Sequence, residues 1–103
     1  MIKGTTPTLH YNLPFETSII KMAEIVVEYV DANKAINIIK SLSDCVLGDK
    51  CISATLTQEE TLKLPAPSTV NVQLRVATAD GLVLATEVEK IKVKRLLKED
   101  VIE

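Results

Sequence analysis

The chain has 103 residues, 47% hydrophobic and 25% charged, with a formal net charge of −2. That length serves one domain with its own core but not two, and the apolar content offsets the entropy of ordering, which excludes a disordered chain. A charge so near balance favours neither nucleic acid nor an acidic surface as partner. No segment nears the roughly 20 apolar residues that cross a bilayer. The N-terminal MIKGTTPTLHYNLPFE carries no apolar stretch of the export-signal kind, and there is no Asn-x-Ser/Thr site, so an intracellular origin is expected.

Leu9, Tyr11 and Leu13 alternate with Thr8, His10 and Asn12 and end at Pro14, a short strand suited to a sheet edge. Between residues 19 and 30 two periods compete. Ile19, Ile20, Ala23, Val26, Val27 and Val30 fit a helical stripe, whereas Ile25, Val27 and Tyr29 against Glu24, Val26 and Glu28 fit a strand. β-Branched side chains lose rotamer freedom in helices and pack well on pleats, which favours the strand. A polar connection at residues 31–34 leads to the next strand, AINIIKS at residues 35–41.

Residues 42–47 and 51–57 read as a hairpin around Gly48-Asp49, with Ile52, Ala54 and Leu56 on one face. A two-residue Gly48-Asp49 turn pairs Val46 with Cys51 and puts Cys45 and Cys51, the two cysteines of the chain, on opposite faces. A three-residue loop would instead set them opposite each other. Two free thiols is the favoured reading, and two cysteines alone make neither a zinc site nor a disulfide scaffold.

Thr57-Gln58-Glu59-Glu60 has the form of a capping box and predicts one helical turn near Gln58–Leu62, broken by Leu64-Pro65-Ala66-Pro67. In the strand over residues 69–78, Val70, Val72, Leu74 and Val76 alternate with Asn71, Gln73, Arg75 and Ala77. Asp80-Gly81 then marks a hairpin to a last strand over residues 82–96. In that strand Leu84 and Val88 share one parity and Ile91 and Val93 the other, so a bulge around Glu89-Lys90 is needed to reconcile them. Residues 98–103 read as a loosely held tail. Seven short strands with turn signals every 8–12 residues or so predict an all-β, antiparallel immunoglobulin-like sandwich occupying residues 1–103 as a single domain. The core tryptophan and inter-sheet cysteine pair of immunoglobulin domains are both missing.

Chemistry is sparse. His10 is the sole histidine, so one chain makes no two-histidine metal site, and no serine or threonine has an evident activating base. Glu59 and Glu60 are adjacent and do not face each other, and three scattered glycines make no phosphate loop. Neither catalytic nor cofactor residues are assigned, and no metal is expected. The basic cluster Lys90, Lys92, Lys94 and Arg95 could suggest nucleic acid, but Glu87, Glu89, Glu99 and Asp100 surround it and no aromatic residue follows Tyr29. A wet strand face whose lysines discourage edge-to-edge aggregation is the plainer reading. Asn71, Gln73, Arg75, Lys90, Lys92 and Lys94 are therefore the candidate interaction residues, and the strand at residues 9–13 and the segment at residues 90–95 are the candidate edges.

The opening MIKGTTPTLHYNLPFETSIIK, the segment DCVLGDKCISATLTQEETLKL and VNVQLRVATADGLVLATEVEKIKV resemble a family of small prophage-encoded proteins found among phage structural genes. LTQEETL and VQLRV carry most of the likeness, which spans nearly the whole chain. The architecture also resembles the immunoglobulin-like modules of phage baseplate proteins. The resemblance implies a non-enzymatic role in a tail, baseplate or accessory assembly, with other phage structural proteins or a second copy as partner. It implies the cytoplasm of the bacterial host during expression, and then the virion. The alternative is a soluble binding or regulatory module that stays out of particles. A small hydrolase or ligand-binding barrel is the third reading.

Overall fold

A computed structural model describes residues 1–99 and 101 of the chain. Its described residues form an all-β antiparallel fold of two sheets. The strands are β1 (Thr8–Asn12), β2 (Ile20–Val30), β3 (Ala35–Ser41), β4 (Val46–Leu47), β5 (Cys51–Thr55), β6 (Ser68–Thr78), β7 (Val83–Ala85) and β8 (Glu89–Val93). One sheet has the order β1-β5-β4. In the other, β3-β2-β6-β7, the strand β8 also pairs with β6. The ambiguous segment is strand β2, as its β-branched residues favour, and it lies at the centre of the larger sheet.

The apolar positions of each strand meet in one cluster. Ile25 and Val27 of β2 and Val70, Val72, Leu74 and Val76 of β6 are buried together with Ile52 and Ala54 of β5 and Leu56. Burying each of these valines, leucines and isoleucines contributes roughly 1.5–3 kcal/mol, so these positions hold the two sheets together. The helix α1 (Gln58–Leu62) starts at the expected capping box: the Glu60 amide donates to Thr57 Oγ1 at 3.1 Å and the Thr57 amide to Glu60 Oε1 at 2.8 Å. Lys40 Nζ reaches the same carboxylate at 2.7 Å.

The structure has eight strands among its described residues where the pattern predicts seven, because the last arm is two strands. β7 pairs with Arg75–Ala77 and β8 with Ser68–Val72 of the same neighbour, β6. Three residues, Thr86 to Val88, stand between the two strands, against only Gln73 and Leu74 on β6. The one extra residue is the bulge that the parity change requires, placed just before Glu89. Thr86 fills it: its amide donates to the Leu74 carbonyl at 2.9 Å, its hydroxyl accepts from the Leu74 amide at 3.0 Å, and its carbonyl accepts from Gln73 Nε2 at 2.8 Å.

Two local expectations are corrected. Residues 42–44 form a 3-10 turn rather than the start of a strand, leaving β4 only two residues long. The reason is a second capping box, Ser41-x-x-Asp44, in which the Ser41 amide donates to Asp44 Oδ2 at 3.0 Å. The β4–β5 turn sits on Asp49-Lys50, since the Gly48 amide bonds the Cys51 carbonyl at 2.9 Å and Leu47 pairs with Ile52. Gly48 leaves space there, since a Cβ would press on Cys51 Sγ unless that side chain turned away. At the other tip the loop is Ala79-Asp80-Gly81, with Gly81 at φ +91, the left-handed conformation glycine favours. Cys45 and Cys51 are both free thiols. Of the expected tail, Lys98, Glu99 and Val101 are described, and Glu99 Oε1 accepts Lys3 Nζ at 2.5 Å. Asp100, Ile102 and Glu103 lie outside the described residues.

Candidate interaction face

The larger sheet turns one face to the core and the other to solvent. Because paired residues on neighbouring strands share a face, the register lays out the wet side in rows. One row runs Asn37, Glu28, Asn71, Lys90, the next Ile39, Val26, Gln73, and a third Ser41, Glu24, Arg75, Ala85. Asn71, Gln73 and Arg75 therefore share this face with Lys90 and Lys92, and Lys92 lies beside Thr69. Lys94 follows at the end of β8, where it bridges Ile2 of the N-terminal segment instead of β6. Five of the six candidate residues are thus brought onto one surface, with Lys94 at its corner.

The polar members are held in place. Arg75 Nη2 bonds Glu24 Oε1 at 2.7 Å, Asn71 Nδ2 donates to Glu28 Oε1 at 3.4 Å, and Gln73 is fixed on Thr86. Among the described residues Lys90 and Lys92 have no ion-pair partner. Glu99 is engaged by Lys3, and Glu89 has the parity of Ile91 and Val93, opposite to the lysines. Glu89 instead helps burial raise the Tyr11 hydroxyl above the usual tyrosine range, burial being the larger cause.

Val26, Glu28, Asn71, Gln73, Val88 and Lys90 line a trough of about 380 Å³ along β6. The bulge places Val88 at one wall while β2 supplies the other. Its volume would suit a small ligand, but a ligand pocket normally buries most of its guest, and this trough opens along a flat sheet. Around it Met22, Val30, Ile39, Val83 and Val88 are exposed apolar side chains, and Val83 and Val88 keep 66% and 53% of their surface in solvent. An exposed sheet face with apolar side chains among free lysines can dock a protein surface.

Sequence reasoning missed the β2 and β3 side of this face. The signal was present: the alternation that sends Ile25 and Val27 inward sends Glu24, Val26 and Glu28 outward beside β6. The edges also divide differently. β1 is an edge, as expected, bounded by Pro7 and Pro14. The outer side of residues 92–94 is covered, because the Met1 ammonium donates to the Lys92 carbonyl at 3.1 Å, the Lys94 amide to Met1 at 2.8 Å and the Lys3 amide to Lys94 at 3.1 Å. The longer open edge is β3.

Among the described residues no group of three or more histidine, cysteine or carboxylate side chains is placed to hold a metal ion, and no helix is long and apolar enough to cross a membrane. Burial, with Asp44 nearby, pushes the Cys45 thiol up, away from the thiolate a nucleophile needs. No known protein-family model matches the chain, and no curated protein is significantly similar to it.

Proposed function

We propose that this chain is a non-enzymatic structural or interaction module of a phage or prophage particle, working through protein–protein contacts. The observation that carries the interaction role is the wet face of the β3-β2-β6-β7/β8 sheet, where Val26, Ile39, Val83 and Val88 lie among Asn71, Gln73, Arg75, Lys90 and Lys92. Apolar patches of this kind, rimmed by polar groups, mark surfaces that other proteins cover. The assignment to a particle rests on the resemblance carried by LTQEETL and VQLRV.

The test is mass spectrometry of purified particles and of the matching cell lysate after induction of the host strain. The particle role expects the protein in the virion fraction at a constant ratio to tail or baseplate proteins. A protein found repeatedly in the lysate and never in particles would overturn that role and favour a soluble regulatory module.

A further inference from the structure

We infer that β3 is a self-association edge, and that two copies of this chain join antiparallel through it about a two-fold axis at Ile38. The inference rests on the interaction-module reading but not on incorporation in a particle. The other margins are blunted. β4 has two residues and β7 three, β1 lies between prolines, and the N-terminal segment covers β8 at residues 92–94. β3 offers seven residues with neither proline nor glycine, and its solvent-facing positions, Ala35, Asn37, Ile39 and Ser41, carry no charge. Proteins usually protect such an edge with outward charges, prolines or bulges, because unpaired amides and carbonyls recruit another strand.

The backbone groups on offer follow from the β2–β3 turn. The Asp31 amide donates to the Lys34 carbonyl at 2.9 Å, and Asp31 Oδ1 accepts the Asn33 and Lys34 amides at 2.7 and 2.8 Å, closing a loop of Ala32 and Asn33. Bonded and non-bonded pairs alternate along an antiparallel ladder. Starting from the bonded Asp31/Lys34 pair, Tyr29/Ile36 and Val27/Ile38 are bonded, so Asn37 and Ile39 aim their amides and carbonyls away from β2. An axis at Ile38 sets Asn37 of one copy against Ile39 of the other, and those outward groups then bond reciprocally.

The same register is favourable in charge. Lys40, the one charged side chain of β3, points to the Glu60 carboxylate and faces Ile36 of the other copy rather than a second lysine. At each end Lys34, which has no ion-pair partner among the described residues, meets the other copy's turn at Leu42–Asp44, which carries the Asp44 carboxylate. A parallel pairing would set Lys40 on Lys40. The second copy is thus the occupant whose charges fit, and it fuses the two wet faces into one continuous surface.

The test is sedimentation velocity of the full chain across a concentration series, with amide hydrogen exchange read at the same concentrations. The expected result is a reversible dimer, with exchange at Asn37 and Ile39 slowing as it forms. Ile39→Pro removes an outward donor while sparing the bonds to β2, and is expected to abolish the dimer with the circular dichroism spectrum kept. Lys34→Glu is expected to weaken it, most at low salt. Val83→Lys, on the far margin of the sheet, is expected to leave it intact. A wild type that stays monomeric up to about 1 mM, where even weak association registers, overturns the inference, as does a dimer unaffected by both Ile39→Pro and Lys34→Glu. A monomer recovered in particles would refute the seam alone, and a dimer absent from particles would refute the particle role alone.

Discussion

β6 shows two surfaces with opposite tasks. Inward, Val70, Val72, Leu74 and Val76 expose 2% or less of their surface, among neighbours drawn from both sheets. Outward, Asn71, Gln73 and Arg75 are each tied to one polar partner while open to solvent on the other side. The inner positions fill volume, so their identity is constrained by shape. The outer positions satisfy local hydrogen bonds, so their replacement should alter what the face can bind more than whether the chain folds.

The largest effect should come from the inner side. Leu74→Ala is expected to cost about 2–5 kcal/mol in urea unfolding, since the rigid cluster cannot close over the lost volume. A loss within 1 kcal/mol of wild type would break the distinction between the faces. Thr86→Ala tests the boundary between them. It strips the Leu74 amide of its acceptor, and an unpartnered amide at this half-buried site should cost about 1–3 kcal/mol, while Thr86→Ser should restore most of it. Arg75→Ala removes an exposed ion pair and should cost less than about 1 kcal/mol.

Acidity should act on the polar shell alone, with little effect near neutrality. None of the buried side chains among the described residues titrates in this range. Burial pulls the Glu60 carboxyl up, but Lys40 and the Thr57 amide outweigh it and hold it below the usual range. The Ser41 amide and hydroxyl lower Asp44, the Tyr29 hydroxyl with the Asn33 and Lys34 amides lowers Asp31, and the Thr78 hydroxyl lowers Asp80. A carboxyl lowered on folding stabilises the native state above its unfolded value of about 4, and that contribution is lost as pH falls through the lowered folded value. Thermal midpoints should therefore be level from about pH 5 to 7 and drop below about pH 4. Glu60→Gln should flatten that drop, and an unchanged profile would show that this carboxylate is no anchor.

What was legible in the sequence follows the same division. Alternation in β6, β-branched content in β2 and the capping box before α1 express local chemistry or burial on one face, and each appears where the pattern predicts it. Local pattern misplaces the β4–β5 turn because glycine at position 48 reads as a turn residue, whereas it leaves room for a sulfur atom contributed from across the strand pair. The Ser41–Asp44 cap has the same spacing as the one at Thr57, but it sits at the join of two segments, residues 35–41 and 42–47, that read as strand. On the candidate face the β6 and β8 residues could be named from parity. That Glu28 and Ile39 join them depends on β2 lying between β3 and β6, an order set by long-range pairing and absent from any local pattern.

The extra residue at residues 86–88 gives the last arm two reading phases. Before it, every second side chain counted from Leu84 turns to the core, and after it the count restarts one step later, at Ile91 and Val93. The bulge works as a compensating frameshift works in a message: were the ladder regular here with all three residues kept, everything downstream would be displayed in the wrong phase, lysines inward and Val93 outward. Removing one of the three would instead merge β7 and β8 into one regular strand, with Ile91 and Val93 still turned to the core.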